Sequence, residues 1–188
     1  QKELAEVITG IRRMKSGQME YQGKDIRKDS VKERFRAGIS YISDDRHGDS
    51  LVMDMTVEDN LILRDFDREP FSRKMVLDYR QAEKRAREAL DEYSIKTSGK
   101  SGIKTPVKLM SGGNQQKVIL SREISGEADL IVASQPTRGL DIGATRFVHE
   151  TLLRQRDAGR CVLLISADLD EILGVSDRVA VMYEGRII

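Results

Sequence analysis

Leu130 to Asp141 have the sequence LIVASQPTRGLD, a short apolar run followed by a polar loop. An unbroken apolar run of this length is typical of a strand that is covered on both faces of a sheet, and the proline and glycine after it indicate a turn. The strand ends in Ser134 and Gln135. Neither side chain ionises at neutral pH, so this strand end lacks a side chain that could serve as an acid or a base.

The segments around this strand alternate between extended and helical patterns. We predict strands over 38–43, 160–166 and 178–187, and helices over 143–159 and 168–176. EGRII at the end of the last strand indicates the beginning of a strand hairpin. Strands that alternate with helices and are apolar along their length indicate a parallel sheet with both faces covered.

The remaining segments are predicted to be mainly helical. The helix over 79–95 has one stripe of small and apolar side chains, Ala82, Ala86, Ala89, Leu90 and Tyr93. The other predicted elements are a helix over 1–10, an antiparallel strand pair over 17–26, a helix that starts with Thr56 and Asp59 at capping-box spacing, a glycine- and lysine-rich loop over 96–108, and a helix after residue 111.

Composition limits the class of protein. The 188 residues are 39% hydrophobic, enough for one compact domain, and the formal net charge of +1 argues against a nucleic-acid or anionic-membrane surface. No apolar run approaches the ~18 residues of a membrane-spanning helix.

Cys161 lies in an apolar run and is expected in the core, in a reducing, cytoplasmic setting. His47 and His149 are expected at the surface, because no second histidine or cysteine stands at a metal-ligand spacing.

Met110 to Lys117 have the sequence MSGGNQQK, the strongest local signal for a binding site. Ser111, Gly112 and Gly113 begin a predicted helix, and glycines there let backbone N–H groups approach a phosphate while the helix dipole favours its negative charge. The serine hydroxyl adds a further donor. Serine and glycine before a helix also form an ordinary flexible cap, so this motif alone leaves both interpretations open.

The order of the motifs decides between them. LMSGGNQQK precedes the strand that ends in QPTRGLD, and a later strand ends in ISAD. This order resembles the ATP-binding cassette family of transport ATPases, in which the signature sequence precedes the Walker B strand, the D-loop and the switch-histidine strand. With SDRVAVMYEGRI, these motifs are similar to the second cassette of the tandem ATPases that drive simple-sugar and nucleoside importers, and ASQPTRGLD is closer to the nucleoside branch.

The resemblance implies an α/β fold. It is a P-loop NTPase-like cassette core with a mostly parallel sheet, a small antiparallel β part and a helical subdomain. We expect residues 1–188 to form a single nucleotide-binding domain that belongs to a longer protein and lacks the N-terminal glycine-rich loop. The RecA-like core is expected over about 1–50 and 120–188, and the helical subdomain with the signature over about 56–119.

In this family the Walker B strand ends with an aspartate that holds the Mg²⁺ hydration shell and a glutamate that acts as general base. Here those positions hold Ser134 and Gln135, and the switch-histidine position holds Ala167. Serine brings no anion to a hard cation, and an amide cannot accept a proton at neutral pH, although Gln135 can orient water or a phosphate. The resemblance therefore implies that this domain's own site is hydrolytically silent and has no protein metal ligand.

Two more positions of that site depart from the family pattern. The family's glycine-rich loop precedes the first helix, so Gln1 falls at its lysine and Lys2 at its Mg²⁺-binding serine or threonine. In the alternative register Lys2 is the lysine and Glu3 falls at the metal-ligand position, and neither register restores the motif. Asp44 takes the place of the Q-loop glutamine, or of the glutamate common in the sugar branch, and the Q-loop of this family contacts both nucleotide and the membrane subunit. The alternative is that Asp44 is only a polar exit from its strand.

The signature motif, unlike these positions, retains the residue types of the family. In this family two cassettes meet head to tail, so the signature of one closes over the ATP held by its partner. The resemblance thus implies nucleotide contacts from Ser111, Gly112, Gly113, Asn114 and Gln115. Asp141 of the D-loop is expected to contact the partner cassette or nucleotide, or to be the N-cap of the next helix. ATP is the expected cofactor, with Mg²⁺ held mainly by the partner cassette.

These implications extend to the whole protein. ATPase activity is expected of the full-length protein at the cytoplasmic face of the membrane, peripherally attached, and this chain alone is expected to be inactive. The expected partners are the N-terminal cassette of the same polypeptide or a second cassette, the permease subunits and, indirectly, a solute-binding protein, without nucleic acid. Two alternatives stay open: an autonomous ATPase that uses Gln135 and another acid, and a docking or regulatory domain that no longer contacts ATP. A cohesin-like or repair ATPase is disfavoured because heptads are absent.

Overall fold

The computed structural model describes residues 1–97, 99–124 and 128–188, and these form two compact units. The first unit comprises Gln1–Asp44, Gly126–Pro136 and His149–Ile188, and the second comprises Asp45–Ser125 and Thr137–Val148. In chain order the helices and strands are α1 (Lys2–Thr9), β1 (Glu20–Tyr21), β2 (Lys24–Asp25), α2 (Val31–Arg36), β3 (Ile39–Ile42), α3 (Val57–Ile62), β4 (Ser72–Arg73), β5 (Val76–Leu77), α4 (Tyr79–Glu92), α5 (Gly112–Ile124), β6 (Leu130–Ser134), α6 (Ile142–Asp157), β7 (Cys161–Ile165), α7 (Leu169–Val175), β8 (Met182–Tyr183) and β9 (Arg186–Ile187).

Three parallel strands form the sheet of the first unit, in the order β3, β6, β7. β6 pairs with β3 from Leu130 opposite Ile39 onward, and with β7 up to Ser134 opposite Ile165. The parallel sheet and the antiparallel pair β1–β2 confirm the predicted strand pattern. Because all three strands run in one direction, their carboxyl ends lie at the same edge of the sheet.

The core of the first unit lies where α1 packs against β3 and β6. Burying a large aliphatic side chain stabilises the fold by about 1.5–3 kcal/mol, so this cluster holds the helix on the sheet. α1 ends at Gly10, whose φ of 85° is the left-handed conformation of a helix C-cap, as the sequence predicts. The buried members of the cluster are Ala5, Ile26, Ile39, Tyr41, Val132 and Ile165.

One prediction for the C-terminal region is wrong and another is confirmed in part. Cys161 is exposed and the next three residues of β7 are only half-buried, so this apolar run is not fully covered. Among the described residues β7 pairs only with β6 and forms an edge of the sheet. The predicted strand over 178–187 is interrupted and forms the hairpin β8–β9, which EGRII indicates and which turns at Glu184 and Gly185, both with positive φ.

The second unit is mainly helical. α3 begins at a complete capping box, in which the backbone N–H of Asp59 donates to the Thr56 hydroxyl at 3.1 Å and the Asp59 carboxylate accepts in return. α3 packs against both α4 and α5. The predicted stripe of α4 is confirmed, since Ala82, Ala86 and Ala89 are fully buried.

Short turns complete the second unit. The predicted loop over 96–108 contains 3-10 turns over Gly99–Lys104, where the backbone kinks at Gly102, and over Val107–Leu109. Residue 98 of that loop lies outside the described residues. Residues Arg46–Ser50 form a single π-helical turn, which the side chain of Asp45 caps. None of the helices in the described part of the chain is long and apolar enough to cross a membrane.

Candidate functional site

Several predicted site residues of the first unit follow the carboxyl ends of its three parallel strands. Asp44 lies just beyond β3, Ser134 ends β6 and Gln135 follows it, and Ala167 lies just beyond β7. Crevices at this edge are where open α/β sheets bind ligands. Together with Lys2, we call these residues the edge site.

Few side chains at the ends of these strands can ionise. Ser134 is buried, with 2% of its surface exposed, whereas Ala167 is exposed and has no polar side-chain atom. Gln135 has a φ of 46°, and its N–H donates to the carbonyl of Ile165 at 2.7 Å. Asp168 caps α7 by accepting from the N–H of Asp170 at 3.0 Å, so this carboxylate serves the next helix.

The start of α1 brings a cation to the edge site. The Nζ atom of Lys2 lies 3.2 Å from Oδ1 of Asp44. Gln1 makes no side-chain cap hydrogen bond, and its carbonyl accepts from the N–H of Leu4 at 3.1 Å. The sequence predicts Lys2 and Asp44 as separate candidates, and the structure joins them as an ion pair.

The edge site does not suit Mg²⁺. This ion prefers several carboxylate and water oxygens in octahedral geometry. Of the side chains at the edge site only Asp44 is a carboxylate, and the ammonium of Lys2 lies against it. Across the described residues, no group of three or more histidine, cysteine, aspartate or glutamate side chains could hold a metal ion.

The second predicted site lies in the second unit at the start of α5. Ser111 is exposed and precedes the helix, and its backbone carbonyl accepts from the N–H of Gln115 at 2.9 Å. Its hydroxyl accepts from the side-chain amide of Asn114 at 2.9 Å. The prediction that Ser111 and the two glycines begin a helix is therefore confirmed. We call Ser111–Asn114 the signature turn.

The signature turn packs against the start of α6. A Cβ atom on Gly113 would lie 3.0 Å from the Cβ of Ala144 and 3.8 Å from Oδ2 of Asp141. Asp141 is the N-cap of α6, since the N–H of Ala144 donates to its Oδ1 at 2.9 Å. The predicted capping role is thus confirmed, and the structure brings Asp141 to the signature turn.

Gln115 has a different position from the rest of the predicted set. It is 4% exposed, and its Nε2 donates to the carbonyl of Val107 at 3.0 Å. Its Oε1 lies 3.1 Å from Nε2 of His47. These bonds hold the Gln115 amide inside the protein, whereas the predicted nucleotide contact needs an open amide.

Sequence reasoning missed the part that residues 46 and 47 play beside this turn. His47 is exposed as predicted, but its ring also reaches Gln115 of α5. Arg46 lies beside the glycines of the signature turn and of the D-loop. The cluster of charges in DDRHGD was the available signal. His149, also predicted at the surface, is half-buried and lies 2.8 Å from the buried carboxylate of Glu171.

Comparison with known proteins identifies the family. The family described as ABC transporter matches residues 3–138, which is more than half of the chain. The chain belongs to the ABC transporter family. Its fold is that of an ATP-binding cassette, a P-loop NTPase fold with a mostly parallel sheet, small antiparallel sheets and helices.

Solved structures of this family share the fold. A nucleotide-free ATP-binding cassette from an ABC transporter superposes with a TM-score of 0.79 at 24% identity, over 99% of this chain and 73% of that one. A cassette in a dimeric, post-hydrolysis state bound to ADP and phosphate gives a TM-score of 0.70 at 18% identity, over 90% of this chain and 70% of that one. At these identities the likeness concerns the fold alone.

Curated relatives of this ABC transporter chain carry importer names. The guanosine import ATP-binding protein NupO of Bacillus subtilis (strain 168) is 44% identical over the whole chain, and the nucleoside import ATP-binding protein NupA of Lactococcus lactis subsp. cremoris (strain MG1363) is 41% identical. The glucose import ATP-binding protein TsgD13 of Haloferax volcanii is 39% identical. The chain spans 36%, 36% and 34% of the length of these three proteins.

Proposed function

We propose that this chain is the second, C-terminal cassette of a tandem ATPase that drives an importer for nucleosides or simple sugars. Its signature turn closes over ATP held by the partner cassette, and its own edge site is hydrolytically silent. The observation that carries this proposal is the contrast between the two sites. The signature turn is an open serine–glycine helix start, whereas the edge site holds a lysine–aspartate pair without further acids.

The edge site supports the silent half of the proposal. Phosphoryl transfer needs positioned cations and a group that orients or deprotonates water. Ser134 is neutral, and Gln135 can donate and accept hydrogen bonds but cannot take up a proton at neutral pH. The one carboxylate, Asp44, is paired with Lys2 at 3.2 Å. We therefore expect no hydrolysis at this site, and Mg²⁺ is held mainly by the partner cassette.

The signature turn supports the active half. The first N–H groups of a helix have no partner within the helix, and α5 begins at Gly112. These groups, the helix dipole and the exposed hydroxyl of Ser111 together favour a phosphate group. Gly113 leaves room for the close packing against Asp141 and Ala144 that holds the turn in place. Within the partner's ATP site this turn neutralises negative charge and positions the terminal phosphate, and closure of the two cassettes follows.

Partners and substrate are inferred from the relatives. NupO and NupA are named for guanosine and nucleoside import and TsgD13 for glucose import. Because this chain spans only 34% to 36% of their lengths, they have room for another cassette. We infer a peripheral position at the cytoplasmic face of the membrane, with permease subunits that carry the solute and, indirectly, a solute-binding protein.

One substitution tests this function in the full-length protein assembled with its permease. Ser111→Arg places a long charged side chain in the signature turn, and we expect transport and ATP hydrolysis to fall to background. Ser101→Arg introduces the same side chain at another exposed serine of the second unit and is expected to preserve both activities. Normal activity in Ser111→Arg would instead favour a docking or regulatory domain that does not contact ATP.

A second measurement tests the autonomous-ATPase alternative. We expect no Mg²⁺-dependent phosphate release when the partner cassette is inactivated and this chain is unchanged. Release above background that disappears in Gln135→Ala would show that the edge site hydrolyses ATP by itself.

A further inference from the structure

The guanidinium of Arg46 lies between two glycines of the second unit. Its Nη2 is 3.9 Å from the position of a Cβ on Gly112, in the signature turn, and 3.4 Å from that of a Cβ on Gly139, in the D-loop. Gly139 has a φ of 68°, a conformation that other residues rarely adopt. Both distances are those of ordinary van der Waals contact, so the cation lies beside both loops.

The charge of Arg46 has no counter-ion in the part of the chain that the structure describes. Its side chain is half-buried, and within the described residues no hydrogen-bond or ion-pair partner of the guanidinium is found. Burial lowers the pKa of Arg46, and no neighbouring acid opposes that effect. The acid that precedes Arg46 and the acid of the D-loop are both bonded to backbone: Asp45 accepts from the N–H of Gly48 at 2.8 Å, and Asp141 accepts from the N–H of Ala144 at 2.9 Å.

The backbone of Arg46 is held by both of its neighbours. Asp45 caps the π-helical turn at Arg46–Ser50, and the ring of His47 reaches Oε1 of Gln115 in α5 at 3.1 Å. The π-helical turn is also tied to α5 by Arg122, whose Nη2 donates to the carbonyl of Ser50 at 2.7 Å. The position of Arg46 beside the signature turn is therefore fixed by contacts that do not use its guanidinium.

A partly desolvated cation without a counter-ion is costly, and an anion that binds beside it regains the lost electrostatic stabilisation. Guanidinium groups match phosphate oxygens with two parallel N–H bonds, a geometry that a lysine ammonium does not offer. Gly112 is the first residue of α5, so the Arg46 guanidinium lies beside the start of that helix. An anionic ligand at the signature turn would therefore meet both.

We propose that Arg46 is a further phosphate-binding residue of the signature turn, and that its guanidinium contacts the terminal phosphate of the nucleotide held by the partner cassette. This inference rests on the proposed function, since it requires that the turn faces a nucleotide. The inference adds a specificity for triphosphates, because Arg46 makes this contact with a triphosphate and loses it with a diphosphate. Arg46 would thus help this turn to distinguish ATP from ADP.

The test compares affinities for the non-hydrolysable triphosphate AMP-PNP and for ADP in the full-length protein assembled with its permease. We expect Arg46→Ala to weaken AMP-PNP binding about tenfold or more, the usual effect of losing a charge-assisted bond, and to leave ADP binding unchanged. Arg46→Lys keeps the charge without the fork and is expected to retain part of the affinity. Arg80→Ala removes an exposed arginine of the same unit and should bind both nucleotides as the unchanged protein does.

The outcomes separate this inference from the proposed function. Equal weakening of AMP-PNP and ADP binding in Arg46→Ala would mean a merely structural role, and unchanged binding of both would mean no role, so either result overturns the inference. If Arg46→Ala does not fold, the same comparison in Arg46→Lys decides. If Ser111→Arg abolishes hydrolysis while Arg46 variants bind normally, the proposed function stands and this inference fails. If Ser111→Arg is fully active, both fail.

Discussion

The ammonium of Lys2 lies 3.2 Å from a carboxylate oxygen of Asp44. Lys2 begins α1 and Asp44 follows β3, so the pair joins two elements that the core of the first unit also packs together. The Lys2 side chain keeps 46% of its surface exposed, whereas Asp44 keeps 17%. Solvent at the lysine end therefore partly screens the pair, and its main consequence is to occupy the edge-site carboxylate rather than to stabilise the fold.

Removing this pair should change stability only slightly. We expect a double-mutant cycle of Lys2→Met and Asp44→Asn to give a coupling below about 1 kcal/mol, since exposed ion pairs contribute little. The coupling should decrease further as salt is added. Thermal unfolding of the full-length protein at two salt concentrations measures it. A coupling of several kcal/mol that is insensitive to salt would contradict the picture of a screened pair.

Gly113→Ala should destabilise the second unit and weaken ATP-dependent closure. The added Cβ would lie 3.0 Å from the Cβ of Ala144, so Ala144 must move by a few tenths of an ångström. Overpacking costs about 1–3 kcal/mol, and the roughly 1 kcal/mol by which alanine is favoured over glycine in a helix offsets part of it, so we expect a net drop of up to about 2 kcal/mol in the free energy of unfolding. Denaturant titration and ATPase assays are the measurements.

Two further variants control for this effect. A Cβ on Gly174, within α7, would meet nothing within 4 Å, so Gly174→Ala should be neutral or stabilising by up to about 1 kcal/mol. Gly113→Ala combined with Ala144→Gly removes the opposing methyl group and should recover part of the lost stability. No recovery in the double variant would place the clash elsewhere.

Asp141 is predicted to act both as a helix cap and as a contact to the partner cassette, and two substitutions separate these roles. Asp141→Ala removes the acceptor of the Ala144 N–H and should cost about 1 kcal/mol of stability. Asp141→Asn keeps an acceptor of the same shape, so its stability should be close to that of the unchanged protein. We expect Asp141→Asn nevertheless to reduce ATP hydrolysis in the assembled protein. Full activity in this variant would limit Asp141 to capping.

The pKa of Asp25 should provide a direct check on the geometry of the hairpin β1–β2. Hydrogen bonds from the Arg27 side chain, followed by the backbone N–H of Arg27, lower the pKa of this carboxyl from its ordinary value of 3.8 to about 2. Because the pKa of Asp25 is lower in the folded state, its ionised form stabilises the fold at pH values above 3.8. This contribution is lost as the pH falls through about 2. NMR titration should find Asp25 still ionised at pH 3, and Arg27→Gln should raise its pKa toward 3.8. A pKa near the ordinary value with Arg27 present would contradict the observed contact.

Local sequence patterns were sufficient for most helices and for the core strands. The capping box at Thr56 and Asp59 is a contact between near neighbours in the chain, and the alanine stripe of α4 and the apolar run of β6 mark residues that the fold buries. The sequence EGRII indicates the C-terminal hairpin, but the apolar run before it does not state where the strand begins. β8 is only Met182–Tyr183, and the chain turns at Glu184 and Gly185.

The sequence by itself determined the chemistry available to this protein: the serine and glycines of the signature turn, and the missing acids at Ser134 and Gln135. Only the tertiary structure decided which of these groups meet. It paired Lys2 with Asp44, set the Arg46 guanidinium between Gly112 and Gly139, and left Cys161 at a sheet edge. Residue type fixes charge and hydrogen-bonding capacity, but contacts between distant segments depend on how helices and strands pack, and periodicity along the chain does not encode that packing.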